Sequence, residues 1–140
     1  MNRSILIVED EPLLSRNVAR YLERQHYAVM QAPTLVRGIA DYHEKPPDVV
    51  LVDHRLPDGT GIELIRYIRQ RDLDTRIVMI TAQGNAALAI AAKKSGVDEY
   101  LTKPFSLEKL GVLVQRLLSQ QYRPPDIDTR PTALVCEPDR

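Results

Sequence analysis

This sequence of 140 residues has one cysteine, no long apolar run and no excess of charge of either sign. The single cysteine, Cys136, excludes a disulfide within the chain. The longest apolar run, Ala86 to Ala92, is far too short to cross a bilayer, and no N-terminal segment has the basic, apolar and small-residue order of a signal peptide. We therefore expect a soluble, cytoplasmic protein that makes no membrane contact.

Net charge is absent as well, because 19 basic residues balance 19 acidic ones. This balance argues against direct binding of nucleic acid by this segment, so any such contact would come from another domain. The length and the 44% hydrophobic content fit one domain with one core, and no internal repeat is apparent.

The stretch from Asp48 to Asp53 organises the chain, because it is an unbroken apolar run that stops at a carboxylate. Continuous apolar runs are typical of strands buried on both faces, as in parallel sheets covered by helices. Asp53 is therefore predicted to lie at the carboxyl edge of the sheet, where ligands bind in open α/β folds. The following loop carries Pro57, Gly59 and Gly61, residues typical of a tight and fixed reversal.

Strand and helix patterns alternate five times along the chain. The predicted strands are Ser4 to Val8, Tyr27 to Gln31, Asp48 to Asp53, Ile77 to Ile80 and Val97 to Leu101. The predicted helices are Pro12 to Gln25, Thr34 to His43, Ile62 to Ile68, Ala86 to Lys94 and a last one that Ser106 caps and Leu107 begins. This alternation predicts an α/β fold with a five-stranded parallel sheet.

Such a sheet would bring together polar residues from the ends of strands one, three, four and five. They are Glu9, Asp10, Asp53, Thr81 and Lys103. Each pair of like charges about 4 Å apart costs on the order of 4 kcal/mol near a protein surface, so three carboxylates must bind a cation or take up protons. Oxygen ligands favour a hard divalent ion, and Mg²⁺ suits a site that keeps positions for water and phosphate.

The same residues could also carry out phosphoryl transfer. Aspartate can act as a nucleophile and form an acyl phosphate. The transfer then requires positioning of the phosphoryl group and neutralisation of its charge. Lys103 would supply a cation and Thr81 a hydroxyl donor, with the metal supplying the rest. We therefore expect Asp53 to be the nucleophile.

These residues resemble the response-regulator receiver domain of bacterial two-component signalling. The matching residues are Glu9 and Asp10, Asp53 with Pro57 and Gly61, Thr81 and Ala82, Tyr100, and Lys103 with Pro104 and Phe105. They occur in order and at typical spacing from Ser4 to about Gln121, which makes the match highly specific. The resemblance implies a flavodoxin-like (βα)5 doubly wound sheet with strand order 2-1-3-4-5. The spacing also resembles the receivers of nitrogen-regulation-type activators.

By that resemblance, Asp53 accepts a phosphoryl group from a sensor histidine kinase, and Thr81 and Lys103 contact it. The metal site would consist of Asp10, Asp53 and the backbone carbonyl of Arg55, with Glu9 supporting the Mg²⁺ through water. Many members have aspartate where Glu9 stands, so the metal geometry is expected to differ. The chain would be a switch rather than an enzyme, with only Mg²⁺-dependent self-phosphorylation and slow self-dephosphorylation.

The resemblance also assigns residues outside the metal cluster. Tyr100 would be a rotating aromatic that reports the change at Thr81 to the face of the fourth helix, fifth strand and fifth helix, the α4-β5-α5 face. The peptide bond before Pro104 would be cis, which X-Pro bonds alone tolerate at low cost. Arg55 and Gln83, two residues after the phosphoacceptor and after the threonine, would tune hydrolysis of the phosphate.

Residues 122–140 differ from the rest, because prolines punctuate a polar stretch that has no periodicity. We expect residues 1–121 to form the receiver domain and residues 122–140 to form a proline-rich linker or a disordered tail. The tail would lead to a C-terminal output domain that binds DNA or drives transcription as an ATPase. The α4-β5-α5 face would support a homodimer.

Other interpretations stay open from the residues alone. An aspartyl-nucleophile phosphatase also uses a strand-end aspartate, but it usually has a second aspartate where Arg55 stands. A receiver-like interaction module that is never phosphorylated would not need Asp53, Thr81 and Lys103 intact. Taken singly, Asp10 or Glu11 could merely cap a helix, and Lys103 could be a solvated charge.

Overall fold

The computed structural model describes residues 2–82, 84–119 and 121–124. Gln83 and residues 125–140, which hold most of the predicted linker, lie outside the described residues. The division into residues 1–121 and 122–140 therefore stays a prediction.

Five parallel strands form the central sheet. They are β1 (Ser4–Val8), β2 (Ala28–Ala32), β3 (Val49–Asp53), β4 (Arg76–Thr81) and β5 (Glu99–Thr102). The order across the sheet is β2-β1-β3-β4-β5. Strand β2 lies on one side of β1 and the later strands lie on the other, so the connections after β1 and after β2 run in opposite directions across the sheet. This switch point opens a crevice at the carboxyl ends of β1 and β3. The predicted flavodoxin-like fold with order 2-1-3-4-5 is confirmed.

Five helices cover the two faces of the sheet. They are α1 (Pro12–Arg24), α2 (Leu35–Glu44), α3 (Gly61–Arg69), α4 (Ala86–Ser95) and α5 (Leu107–Leu117). Val50 and Val52 of β3 join the core beneath α2, α3 and α4, whereas Val49 and Leu51 join the core beneath α1 and α5. The central strand is thus buried on both faces, as its unbroken apolar run predicts. None of the helices in the described ranges has the length and apolar character needed to cross a membrane.

Four helices begin with a side-chain cap, in which the N-cap oxygen accepts the backbone N–H three residues on. The cap residues are Thr34 of α2, Thr60 of α3, Asn85 of α4 and Ser106 of α5. Helix α1 begins instead with Pro12, and in the described part of the chain the preceding Glu11 makes no side-chain capping hydrogen bond. Glu11 therefore occupies the N-cap position of α1, but its side chain does not cap the helix.

The loop after β3 folds back as a short hairpin, in which Arg55–Leu56 pairs with Gly59–Thr60. The sequence predicts a fixed reversal here but not this pairing. Gly61 closes the loop, because its N–H donates to the His54 carbonyl at 2.8 Å. A Cβ on Gly61 would lie 2.7 Å from the Asp53 carbonyl oxygen, so only glycine fits and the loop lies directly against the end of β3.

Strand β5 begins two residues later than predicted, at Glu99 rather than Val97. Gly96 ends α4 in the left-handed conformation, with φ of 105°, as its position after the alanine-rich helix predicts. The Val97 N–H then donates to the Ala92 carbonyl, so this residue still completes the helix end and cannot pair with β4.

Helix α4 buries few side chains compared with α3. Its buried residues are Ala92 and Ser95, whereas α3 buries Leu64, Ile65 and Ile68. We expect the α4 amides to exchange hydrogen with solvent through openings of lower free energy than the α3 amides, because detaching α4 exposes less apolar area. Native-state hydrogen exchange followed by NMR would measure this, and equal protection of the two helices would contradict it.

Candidate functional site

The polar residues predicted to meet at the carboxyl edge of the sheet are brought together there. Glu9 directly follows β1, Asp53 and Thr81 end β3 and β4, and Lys103 directly follows β5. Backbone hydrogen bonds continue past the strand ends: the Lys103 N–H donates to the Thr81 carbonyl at 2.8 Å, and the Glu9 N–H donates to the Ala32 carbonyl at 3.0 Å. The sheet itself therefore fixes residues that are far apart in sequence.

The Lys103 ammonium lies among three carboxylates. Its Nζ is 3.1 Å from Asp53 Oδ2, 3.1 Å from Glu9 Oε1 and 3.1 Å from Glu11 Oε1. The Glu9 carboxylate also accepts the Glu11 backbone N–H at 3.1 Å. One cation thus holds together three acidic groups that would otherwise repel one another.

Burial and the neighbouring charges set the protonation of this cluster. Burial of Glu9, which is 6% exposed, raises its pKa to about 7, and the negative charge of Asp53 adds to the effect. Burial alone would lower the pKa of Lys103, but its hydrogen bonds to Asp53 and Glu9 outweigh this and raise the pKa above its usual value. Lys103 therefore stays charged at neutral pH, where Glu9 can gain or lose a proton.

Three carboxylates form a cluster that could hold a metal ion. Glu9, Asp10 and Asp53 each offer one oxygen, and these oxygens lie within 4.8 Å of one another. Glu9 and Asp53 are buried, whereas Asp10 is exposed and leaves one side of the cluster open to solvent. Oxygen donors with access for water suit a hard divalent ion, so these residues fit the predicted Mg²⁺. A bound ion would relieve the repulsion that one ammonium leaves among so many carboxylates.

A cleft of about 420 Å³ opens beside this cluster. Its lining residues are Asp10, Glu11, Asp53, Arg55, Thr81, Ala82 and Lys103. The Arg55 N–H donates to Asp53 Oδ1 at 3.3 Å, so the loop main chain lies next to the carboxylate. Thr81, which is 1% exposed, and Lys103 flank Asp53 in the wall. The cleft has room for a small anionic group bound to Asp53.

The other predicted site residues occupy different places. Tyr100 lies half-buried on β5 and packs against the core beneath α2, α3 and α4, and burial raises its pKa. The peptide bond between Lys103 and Pro104 is cis, as the resemblance implies. Pro57 and Gly59 lie in the hairpin after β3. Gln83 lies outside the described residues.

Sequence reasoning missed two acidic residues. The local pattern suggests only a helix cap for Glu11, although the acidic run Glu9-Asp10-Glu11 is a signal that could have placed it at the site. Asp58 lies in the turn of the hairpin, and its carboxylate accepts the backbone N–H groups of Leu35 and Val36 at the start of α2. No pattern in the sequence joins Asp58 to these partners.

The raised pKa of Glu9 predicts a pH dependence of stability. The folded chain binds the Glu9 proton more tightly than the unfolded chain, so its contribution to the free energy of unfolding is largest below pH 4.5 and falls as the pH rises towards about 7. We expect Glu9→Gln, measured without metal, to lack this fall. Denaturant unfolding of both proteins across this pH range would measure the difference, and parallel profiles would contradict the prediction.

Comparison with known proteins adds to this geometry. Residues 5–115 match the protein family described as "Response regulator receiver domain". The acid tolerance regulatory protein ActR of Rhizobium meliloti is 38% identical over 126 residues, which cover 89% of this chain and 64% of ActR. The KDP operon transcriptional regulatory protein KdpE of Escherichia coli is 36% identical over 132 residues, which cover 94% of this chain and 56% of KdpE. This chain thus spans less than two thirds of either relative.

The fold is also found in a solved receiver structure. The solution structure of the beryllofluoride-activated NtrC4 receiver domain dimer is 30% identical with a TM-score of 0.77, and the match covers 81% of this chain and 94% of that one. The family match extends over most of the chain, and the relatives are regulatory proteins of the same kind. This chain therefore belongs to the receiver-domain family of two-component response regulators, whose members act as phosphorylation-dependent switches.

Proposed function

We propose that this chain is a Mg²⁺-dependent switch in which Asp53 accepts a phosphoryl group from a sensor histidine kinase. The observation that carries the proposal is the 3.1 Å contact between Lys103 Nζ and Asp53 Oδ2 at the wall of the cleft. A cation held beside the nucleophile is placed to meet the oxygens of an incoming phosphoryl group.

The chemical step is attack of the Asp53 carboxylate on phosphorus. One Oδ forms the new P–O bond while the bond from phosphorus to the donor breaks, and that electron pair leaves with the donor imidazole or with the acid of a small acyl phosphate. Lys103 then exchanges its contact with Asp53 for one with a phosphoryl oxygen, and the Thr81 hydroxyl donates to another. Both residues stabilise charge that moves onto the phosphoryl group during transfer.

The proposed metal site consists of Asp10, Asp53 and the backbone carbonyl of Arg55, with Glu9 acting through water. The close approach of three carboxylate oxygens supports this assignment, as does the hydrogen bond from the Arg55 N–H to Asp53. When bound, Mg²⁺ supplies neutralisation of the phosphoryl oxygens.

The proposed conformational change runs from Thr81 to Tyr100. A phosphoryl group adds up to about two negative charges and draws Thr81 inward. The movement of Thr81 leaves a space that the Tyr100 side chain fills. The new contacts must favour the active state by about 5 kcal/mol to convert a mostly inactive ensemble into a mostly active one. The sparse burial of α4, which follows Thr81, supports a change at the α4-β5-α5 face.

Two residues near the site are proposed to tune the lifetime of the phosphate. Arg55 lines the cleft beside Asp53, so its side chain affects the access of water to an acyl phosphate. Gln83 has the corresponding position two residues after Thr81.

We further propose a C-terminal output domain as the target of the switch. KdpE is a transcriptional regulatory protein, which supports an output in transcription, and we expect the output domain either to bind DNA or to act as an ATPase. In this proposal residues 1–121 form the receiver, residues 122–140 link it to the output domain, and the protein works in the cytoplasm.

Phosphorylation can be tested on the chain itself. After incubation with a small acyl-phosphate donor and Mg²⁺, we expect the intact mass to increase by one phosphoryl group. Asp53→Asn should lose this increase, because an amide is not a comparable nucleophile. Asp48→Asn is the matched control: Asp48 precedes the other end of β3, where its carboxylate accepts the Ser4 N–H at 2.8 Å, so the increase should remain.

The same experiment separates the rival functions. A phosphatase would consume the donor continuously without a stable adduct, although Arg55 stands where its second aspartate is expected. A receiver-like interaction module would show neither adduct nor turnover. Uptake by Asp53→Asn at the wild-type rate would place the acceptor elsewhere, whereas Lys103→Ala should keep the acceptor and lose the switch.

We also propose that the phosphorylated chain forms a homodimer through the α4-β5-α5 face. The two helices of this face each carry an exposed apolar side chain, Ile90 of α4 at 55% and Val112 of α5 at 66%. Val112 lies one turn before Arg116, whose guanidinium pairs with Glu99 at the start of β5 at 2.7 Å, so both lie on the side of α5 next to β5. The NtrC4 receiver activated by beryllofluoride is a dimer.

Sedimentation with and without beryllofluoride would test the dimer. We expect the phosphate mimic to shift the wild-type chain from monomer to dimer, and Val112→Glu to prevent the shift because it places a charge in the interface. Leu73→Glu is the control, since Leu73 is also an exposed apolar residue, at 44%, but lies after α3 and away from the α4-β5-α5 face. A monomer that beryllofluoride leaves unchanged would refute the dimer, and equal effects of both substitutions would refute this interface.

A further inference from the structure

Asp58, in the turn of the hairpin after β3, accepts hydrogen bonds from the start of helix α2. Its Oδ1 accepts the Leu35 N–H at 2.7 Å and its Oδ2 accepts the Val36 N–H at 2.9 Å. These are the first two residues of α2, where unpaired N–H groups and the helix dipole favour a carboxylate. The hydrogen bonds from Val36 and Leu35 lower the pKa of Asp58, so it is ionised at neutral pH.

Helix α2 already has a cap of its own. Thr34, the residue before the helix, accepts the Arg37 N–H at 3.1 Å. A single Ser or Thr cap is the ordinary way in which a helix begins. The second cap comes from Asp58, 23 positions after Leu35, so it joins two separate segments as well as completing the helix end.

The hairpin that carries Asp58 is too short to hold its shape alone, because each strand has two residues. Leu56 on its first strand is buried in the same core as Leu35. Gly59 on its second strand lies so close to α2 that a Cβ there would collide with Leu35 Cδ2. Arg55 pairs across the hairpin with Thr60, which in turn caps α3. The place of Arg55 therefore follows from how the turn is anchored.

We propose that Asp58 is a positioning residue for the phosphorylation site, which ties the hairpin to α2 and thereby fixes the main chain of Arg55 against Asp53. The contact that this tie maintains is the 3.3 Å hydrogen bond from the Arg55 N–H to Asp53 Oδ1. The inference rests on the proposed function, in which the carbonyl of Arg55 binds Mg²⁺. Without the tie, the metal would have to order the loop as it binds, at a cost in affinity.

The test compares Asp58→Ala with Thr34→Ala, because each substitution removes one cap from α2 but only the first releases the hairpin. We expect the Kd for Mg²⁺, measured by NMR titration of amide shifts, to rise on the order of tenfold in Asp58→Ala, as for other residues that orient a metal ligand. Thr34→Ala should keep the wild-type Kd. Asp58→Asn, which retains one acceptor oxygen, should fall between them and supplies the same comparison should Asp58→Ala not fold.

A second readout does not depend on phosphorylation. In the metal-free chain, the Arg55 amide should exchange with solvent faster in Asp58→Ala than in the wild type or in Thr34→Ala. If the wild type takes up no phosphoryl group, the proposed function fails while amide exchange still decides whether Asp58 holds the loop. If the wild type is phosphorylated but the Asp58 variants match Thr34→Ala in both Kd and exchange, the positioning role is overturned.

Discussion

The structure depends on one ammonium group that is held among carboxylates. Strands β1 and β3 are neighbours, so Glu9 and Asp53 meet at their ends, and each such pair of like charges costs on the order of 4 kcal/mol. Lys103 from the end of β5 offsets that repulsion. The lysine therefore stabilises the carboxyl edge of the sheet as well as facing the phosphorylation site, and a bound metal would relieve the repulsion that remains.

The sheet and its polar edge could be predicted because both follow from local patterns. An apolar run that ends at Asp53 predicts a buried strand, and parallel strands place their carboxyl ends at one edge whatever the details of packing. The cap residues Asn85 and Ser106 and the helix-ending Gly96 also act within a few residues of their own position. Such signals need no knowledge of the tertiary structure.

Glu11, Asp58 and the start of β5 could not be predicted in the same way, because each depends on where another segment lies. Glu11 has the position of a helix cap, but Lys103 offers it a charged partner. Asp58 is of a residue type that is common in turns, but the N–H groups that donate to its carboxylate lie on α2. Val97 continues an apolar run, yet the end of α4 uses its N–H. In each case a contact with another element overrides the local preference.

The elements that follow β3 and β4 beside the cleft are packed differently, and this difference determines which side of the site responds to phosphorylation. After β3, the hairpin is tied to α2 by Asp58 and caps α3 through Thr60. After β4, Thr81 leads towards α4, which buries two of its ten residues. Charge added at Asp53 therefore meets a firmly packed wall on one side and a weakly packed helix on the other. Because displacement costs least where the least apolar contact is lost, the α4-β5-α5 face is the one expected to respond.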